Sequence, residues 1–156
     1  MRLIIEVEGA PQKVLGLRRT GSYDEIGPMI KEIASYIQEK GITPIGPPAY
    51  ICHEMTLEAV QAATETGSAD IEVVFPVDAG VEGEGDIQAY DLAGGRMVRI
   101  IHMGAYRDSK ETYTELFSWL AEQNLSINGP IREVYMNDPE TTEEDLLVTW
   151  IYAPVG

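Results

Sequence analysis

GSYDEIGPMIKEIASYIQEK (residues 21–40) and GAYRDSKETYTELFSWLAEQ (residues 104–123) are two versions of one stretch, separated by a constant 104 − 21 = 83 positions. Gly21 and Tyr23 recur as Gly104 and Tyr106, and Glu32, Ser35 and Glu39 recur as Glu115, Ser118 and Glu122. The positions Ile30, Ile33, Ala34 and Ile37 recur as Tyr113, Leu116, Phe117 and Leu120, spaced for one face of a helix. Followed outward without a gap, the match runs from 13–54 against 96–137 and takes in Gly46-Pro47 against Gly129-Pro130. Two copies of one supersecondary unit leave a seam between them where a ligand can sit. Function is therefore sought at the seam.

Around these helices the chain reads as strands. Residues 3–7 and 14–19 predict two, with Gly9, Ala10 and Pro11 turning between them. Ser22 or Asp24 caps the first helix, Pro28 belongs to its first turn, and Gly41 stops it after Lys40. Gly46-Pro47-Pro48 breaks the chain before a strand at 49–53. Residues 55–66, rich in Ala and Thr, read as a short helix or a long excursion, and a strand follows at 71–75. The second half repeats the plan, with strands at 87–92 and 97–103, a helix at about 108–123, and strands at 131–136 and 146–152. Residues 138–145 form an acidic loop. The expected fold is α+β: duplicated β-β-α-β-β units forming antiparallel sheets with one main helix each. The chain reads as one domain, 1–156, with repeats at about 1–78 and 86–156 and an acidic glycine linker at 78–85.

A chain of 156 residues, 44% hydrophobic, can bury a core without disulfides or metal. Its apolar runs fall short of a spanning helix, and Glu6 and Glu8 in the first run argue against a signal peptide. One cysteine, Cys52, fits a cytoplasmic protein. The net charge, 11 − 26 = −15, opposes a phosphate backbone or an anionic membrane, so neither nucleic acid nor a bilayer is an expected partner. Cys52, His53 and Glu54 are strand neighbours pointing to opposite sides and cannot converge on one ion, so neither metal nor cofactor is expected. No serine sits in a nucleophile elbow. Gly80, Gly83 and Gly85 alternate with Glu82 and Glu84, which would repel phosphate.

Strand alternation sorts the candidate site. Ile131, Glu133 and Tyr135 share a face, and shifting back by 83 puts Pro48, Tyr50 and Cys52 in their places. A carboxylate among rings, if buried, needs a cation or hydrogen-bond donors, and a planar cation gains from the charge and the ring faces together. The alternative is a wet face with Glu133 as an ordinary surface acid; the pattern leaves both open. Trp119 and Tyr36 occupy equivalent helix-edge positions, and Trp150 shares a face of the last strand with Tyr152, as core or as ligand wall.

At these residues the chain resembles a known family. The two Gly-x-Tyr turns, Trp119 and above all the block Gly129-Pro130-Ile131-Arg132-Glu133-Val134-Tyr135 resemble the GyrI-like small-molecule-binding family, the effector-binding domain of AraC- and MerR-type regulators. The resemblance implies a ligand cleft between the halves, with Glu133 as the ligand-facing acid and Tyr135 beside it. It implies a hydrophobic, cationic or aromatic drug or toxin as ligand, bound or sequestered by a stand-alone member. Glu133, Tyr135, Tyr50, Trp119 and Trp150 are the candidate ligand-binding residues. Two alternatives accompany it: hydrolysis of strained-ring toxins, with Glu133 as general acid and Tyr135 orienting it, or a protein partner such as gyrase docking on the acidic loop. Two departures stand out, because Cys52 takes the place of a common tyrosine and Trp150 that of a common glutamate. The first thins one aromatic wall, and fewer acids with more aromatic surface shift the expected preference toward flatter, less charged ligands.

Overall fold

The computed structural model describes residues 2–156. Eight strands form one antiparallel sheet: β1 (Ile4–Gly9), β2 (Gln12–Gly21), β3 (Ala49–Cys52), β4 (Ala69–Pro76), β5 (Gln88–Leu92), β6 (Gly95–Met103), β7 (Ile131–Tyr135) and β8 (Val148–Pro154). Three helices accompany them: α1 (Ile26–Lys40), α2 (Leu57–Thr66) and α3 (Lys110–Glu122). The ambiguous stretch after β3 is thus a helix. Thr56 caps it by accepting the Ala59 N–H at 3.0 Å, and Gly67 ends it in the left-handed region at φ 63°.

The order across the sheet is β1-β6-β8-β7-β3-β4-β2-β5. The halves do not stack as two sheets. They join edge to edge through β3 and β7, which satisfies backbone groups that two separate edges would leave unpaired. The first strand of each half also crosses to the other: β1 pairs with β6, and β5 pairs with β2. Gly9 lies opposite Gly95 and, by the same offset of 83, Leu92 lies opposite Gln12, so the exchange is symmetric. At the crossing the two connections touch. A Cβ on Gly94 would sit 2.3 Å from the Gly9 carbonyl oxygen and 2.8 Å from the Pro11 nitrogen.

Both main helices lie on the same side of this sheet. A 3-10 turn, Tyr23–Glu25, leads into α1, with Ser22 accepting the Asp24 N–H at 3.2 Å and Glu25 accepting the Ser22 N–H at 3.0 Å. The helix buries Met29, Ile33 and Ile37 against Leu15, Leu17, Ile71 and Val73. Its counterpart α3 buries Leu116 and Leu120 against Val98, Ile100, Ile151 and Ala153. Each fully buried aliphatic side chain contributes about 1.5–3 kcal/mol. The middle of the sheet, β3 and β7, lies between the two helix contacts. Gly27 in α1 is exposed, and nothing stands within 4 Å of an added Cβ. Gly27→Ala is expected to stabilise the fold by about 0.5–1 kcal/mol, read as a higher denaturation midpoint.

Candidate functional site

Strand pairing lays the floor of the site. Tyr50 stands directly opposite Glu133, and Cys52 opposite Ile131, so these four share the helix-bearing face with Tyr135 two residues on. Tyr50 and Glu133 are repeat-mates at the offset of 83, so the pseudo-twofold axis passes between them. β8 continues both rows, with Ile151 beside Glu133 and Thr149 beside Tyr135.

Tyrosines close in over the acid. The Tyr113 hydroxyl, brought by α3, donates to one oxygen of Glu133, and the Tyr135 hydroxyl donates to the other at 3.0 Å. Tyr106, in the 3-10 turn before α3, sets its ring against Tyr135 with centroids 5.2 Å apart. On the first-half side Tyr23 donates to Glu54 at 2.9 Å, and the other Glu54 oxygen accepts the Asp70 N–H at 3.0 Å. Asn137, the repeat-mate of Glu54, accepts the Val148 N–H at 3.0 Å in the corresponding way.

Protein atoms crowd the Glu133 carboxylate, while the residue as a whole keeps some accessible surface. Burial pushes its pKa up, only partly opposed by the two phenol hydrogen bonds and, more weakly, by His102. Among the described residues no Lys, Arg or His nitrogen comes within 4.0 Å of that carboxylate. His102 lies in the row of Tyr135 and Thr149 and spends its ring nitrogens elsewhere, its Nδ1 2.7 Å from Thr112 Oγ1 and its Nε2 2.8 Å from the Ala105 carbonyl oxygen. Arg132 lies on the opposite face and donates to the Ala93 carbonyl at 2.7 Å. Two hydroxyls in the cluster, those of Tyr50 and Thr149, are buried without a hydrogen-bond partner.

The sequence candidates fall in different places. Glu133, Tyr135 and Tyr50 come together. Trp119 does not join them: it packs on the α3 core, six residues and about 9 Å along the helix from Tyr113. Trp150 faces the other side of the sheet, since it pairs with Val134 and Ile101, and its ring lies 4.4 Å from the Arg99 guanidinium. Its place in the first half is held by Glu72, buried on that same open face, with both carboxylate oxygens bonded: His53 Nε2 at 2.7 Å and the Tyr90 hydroxyl at 2.5 Å. Gly16 leaves room for the Tyr90 ring, as a Cβ there would be 1.9 Å from its hydroxyl. The acidic loop is tied down by Glu144 to Arg107 and by Glu140 to Lys31.

Four further residues complete the cluster: Tyr23, Tyr106, Tyr113 and Glu54. The recurring Gly-x-Tyr turns signalled the first two, because a ring repeated at a strand-to-helix turn points to the same place in both halves. Tyr113 was hidden in the helical stripe, where it stands for Ile30 of the first copy.

Two open hollows lie outside the cluster, one of about 570 Å³ along the linker and one of about 410 Å³ against Arg18, Glu72 and Tyr90. The first is walled by linker residues with Glu82 and Glu84, and the acid of the second is already paired. Neither sets an unpaired charge among rings, so the tyrosine cluster remains the better candidate. There Tyr113 and Tyr135 close over the carboxylate by hydrogen bonding to it.

The family model described as GyrI-like small molecule binding domain matches residues 4–156. Among solved structures, the EcmrR C-terminal domain superposes with a TM-score of 0.86 at 18% identity, covering 100% of this chain and 98% of that one. In the EcmrR–DNA complex the TM-score is 0.85 at 18% identity over 99% of this chain, which spans only 57% of that one. A hydrolase from Listeria innocua gives 0.71 at 12% identity, covering 99% and 92% of the two chains. SAV2435 bound to tetraphenylphosphonium gives 0.54 at 13% identity, covering 100% and 94%. At these identities the likeness shows the fold alone. A search among curated proteins found no match.

Proposed function

Since the chain belongs to the GyrI-like small-molecule-binding family, we propose that its ligand is a hydrophobic aromatic cation bound over Glu133 and walled by Tyr135, Tyr113, Tyr106 and Tyr50. One observation carries this reading: a crowded carboxylate with phenols on both oxygens and no cationic side chain beside it. Such a carboxylate is short of positive charge. A cation entering over it gains the full charge of the acid in a low-dielectric recess, and ring faces add about 1–2 kcal/mol each where desolvated. The Tyr113 and Tyr135 side chains must swing aside to admit it. That a structural relative carries tetraphenylphosphonium supports a cation of this kind.

Proton linkage gives the test. Burial raises the Glu133 pKa, so the native protein holds this proton more tightly than the unfolded chain does. The stability it contributes is full below the ordinary glutamate pKa and is lost as pH rises through the native value. A permanent cation favours the ionised form, so its binding expels the proton. Tetraphenylphosphonium affinity, measured by calorimetry, is therefore expected to rise with pH above the ordinary glutamate pKa until Glu133 is ionised in the free protein, by at most about tenfold per unit. The heat should vary between buffers of different ionisation enthalpy. A flat pH profile with no proton release defeats the assignment.

A hydrolytic reading has one observation in its favour, the burial that strengthens Glu133's hold on a proton, as a general acid needs. Mass spectrometry after prolonged incubation with a strained-ring compound separates the readings. Unchanged compound at stoichiometric binding removes hydrolysis for that substrate.

A further inference from the structure

The two halves are unequal at one pair of positions. Tyr135 of the second half spends its hydroxyl on Glu133. Its repeat-mate Cys52 carries a short thiol that turns to the Glu54 carbonyl at 3.5 Å. Beside the hydroxyl of Tyr50, which stands directly opposite Glu133, the first half therefore sets the Cys52 thiol, a weak partner that makes no well-aligned hydrogen bond with it. Tyr50 is only 4% exposed, its ring packed in the core under α1, and its hydroxyl makes no well-aligned hydrogen bond. A buried hydroxyl without a partner is a standing cost to folding. It is tolerated where something else answers it.

Resting on the reading of this cleft as a cation site, we propose that the ligand also carries a hydrogen-bond acceptor, an ether or carbonyl oxygen or a ring nitrogen, and that Tyr50 donates to it past the short Cys52 side chain. The cation over Glu133 then fixes one end of the ligand and Tyr50 fixes the other. Burial, with Cys52, Tyr23 and Glu54 as neighbours, keeps the phenol protonated, so it offers a hydrogen rather than a charge. Tyr113 and Tyr135 hold Glu133 until the ligand enters, so a preference that survives Tyr50→Phe would assign the donor to one of them instead. Thr149, the second unpartnered hydroxyl, lies on the far side of β7 beside Tyr135 and does not face Cys52.

The test uses permanent cations that differ in one group. N-methylquinolinium salts bearing methoxy at ring position 5, 6 or 7 are compared with their ethyl counterparts, on wild type, Tyr50→Phe and Thr149→Val. At least one methoxy isomer should bind wild type about tenfold more tightly than its ethyl partner. Tyr50→Phe should bring that pair to within about twofold by weakening the methoxy compound alone, and should melt no lower than wild type because it removes an unanswered hydroxyl. Thr149→Val should keep the preference. Equal binding of all the pairs by wild type, a preference that survives Tyr50→Phe, or one that disappears in Thr149→Val overturns the inference while leaving the cation site standing. If none of these cations, nor tetraphenylphosphonium, binds wild type, the cation site itself fails first.

Discussion

Glu133→Gln is expected to weaken tetraphenylphosphonium binding by at least about 30-fold, because a crowded carboxylate facing a cation is worth about 2 kcal/mol or more. The same change should leave a neutral aromatic of similar size within about twofold, since the phenol rings stay in place. Folding should not suffer. The amide oxygen can accept from one phenol and the amide N–H can donate to the other, while an ionisable group raised in pKa by burial is gone. The thermal midpoint of the variant at neutral pH should therefore match or exceed that of wild type. Its stability should also lack the wild-type loss that accompanies ionisation of Glu133 as pH rises. Affinity and stability thus move in opposite directions, which a merely structural glutamate would not produce.

Gly94→Ala is expected to destabilise the fold by about 3 kcal/mol, the upper end for forcing atoms into a filled space. The contacts its methyl would meet are backbone: the Gly9 oxygen at 2.3 Å, the Ala10 carbonyl carbon at 2.7 Å and the Pro11 nitrogen at 2.8 Å. No side chain can rotate away to make room. The effect reports on the strand exchange, because those contacts exist only where the β1–β2 and β5–β6 connections cross. Urea unfolding of Gly94→Ala beside Gly27→Ala gives the comparison. A cost below about 0.5 kcal/mol for Gly94→Ala would mean that the connections do not cross at close range.

Much of this was legible in the repeat. The offset of 83 placed Tyr50 and Glu133 as mates, and strand alternation put them on one face with Cys52, Ile131 and Tyr135. What sequence could not supply was pairing between halves. Hairpin-like spacing around Gly9 and Pro11 suggests neighbouring strands, yet β1 leaves for β6, an exchange whose partners lie about 90 residues apart in the chain. The edge-to-edge union of β3 and β7 was equally hidden, because both edges have ordinary strand composition. Trp150 drew attention as a large ring, but the β7–β8 register sets it on the face away from Glu133. Trp119 is set apart by helix geometry. Tyr113 and Tyr106 needed a third dimension, since only the docking of α3 brings their rings to the acid. The partial loss of one aromatic wall at Cys52 was visible in the sequence, whereas its consequence, a buried Tyr50 hydroxyl left beside a weak thiol partner, emerges only from packing.

The central claim is that a cation sits over Glu133 inside the tyrosine cluster, and a crystal structure of the protein with tetraphenylphosphonium tests it most directly. The account predicts the phosphorus within about 6 Å of the Glu133 carboxylate, with Tyr113 or Tyr135 rotated away from it and ring faces against the phenyl groups. A cation found instead along the linker hollow or against Glu72, with the phenols still closed over Glu133, contradicts it.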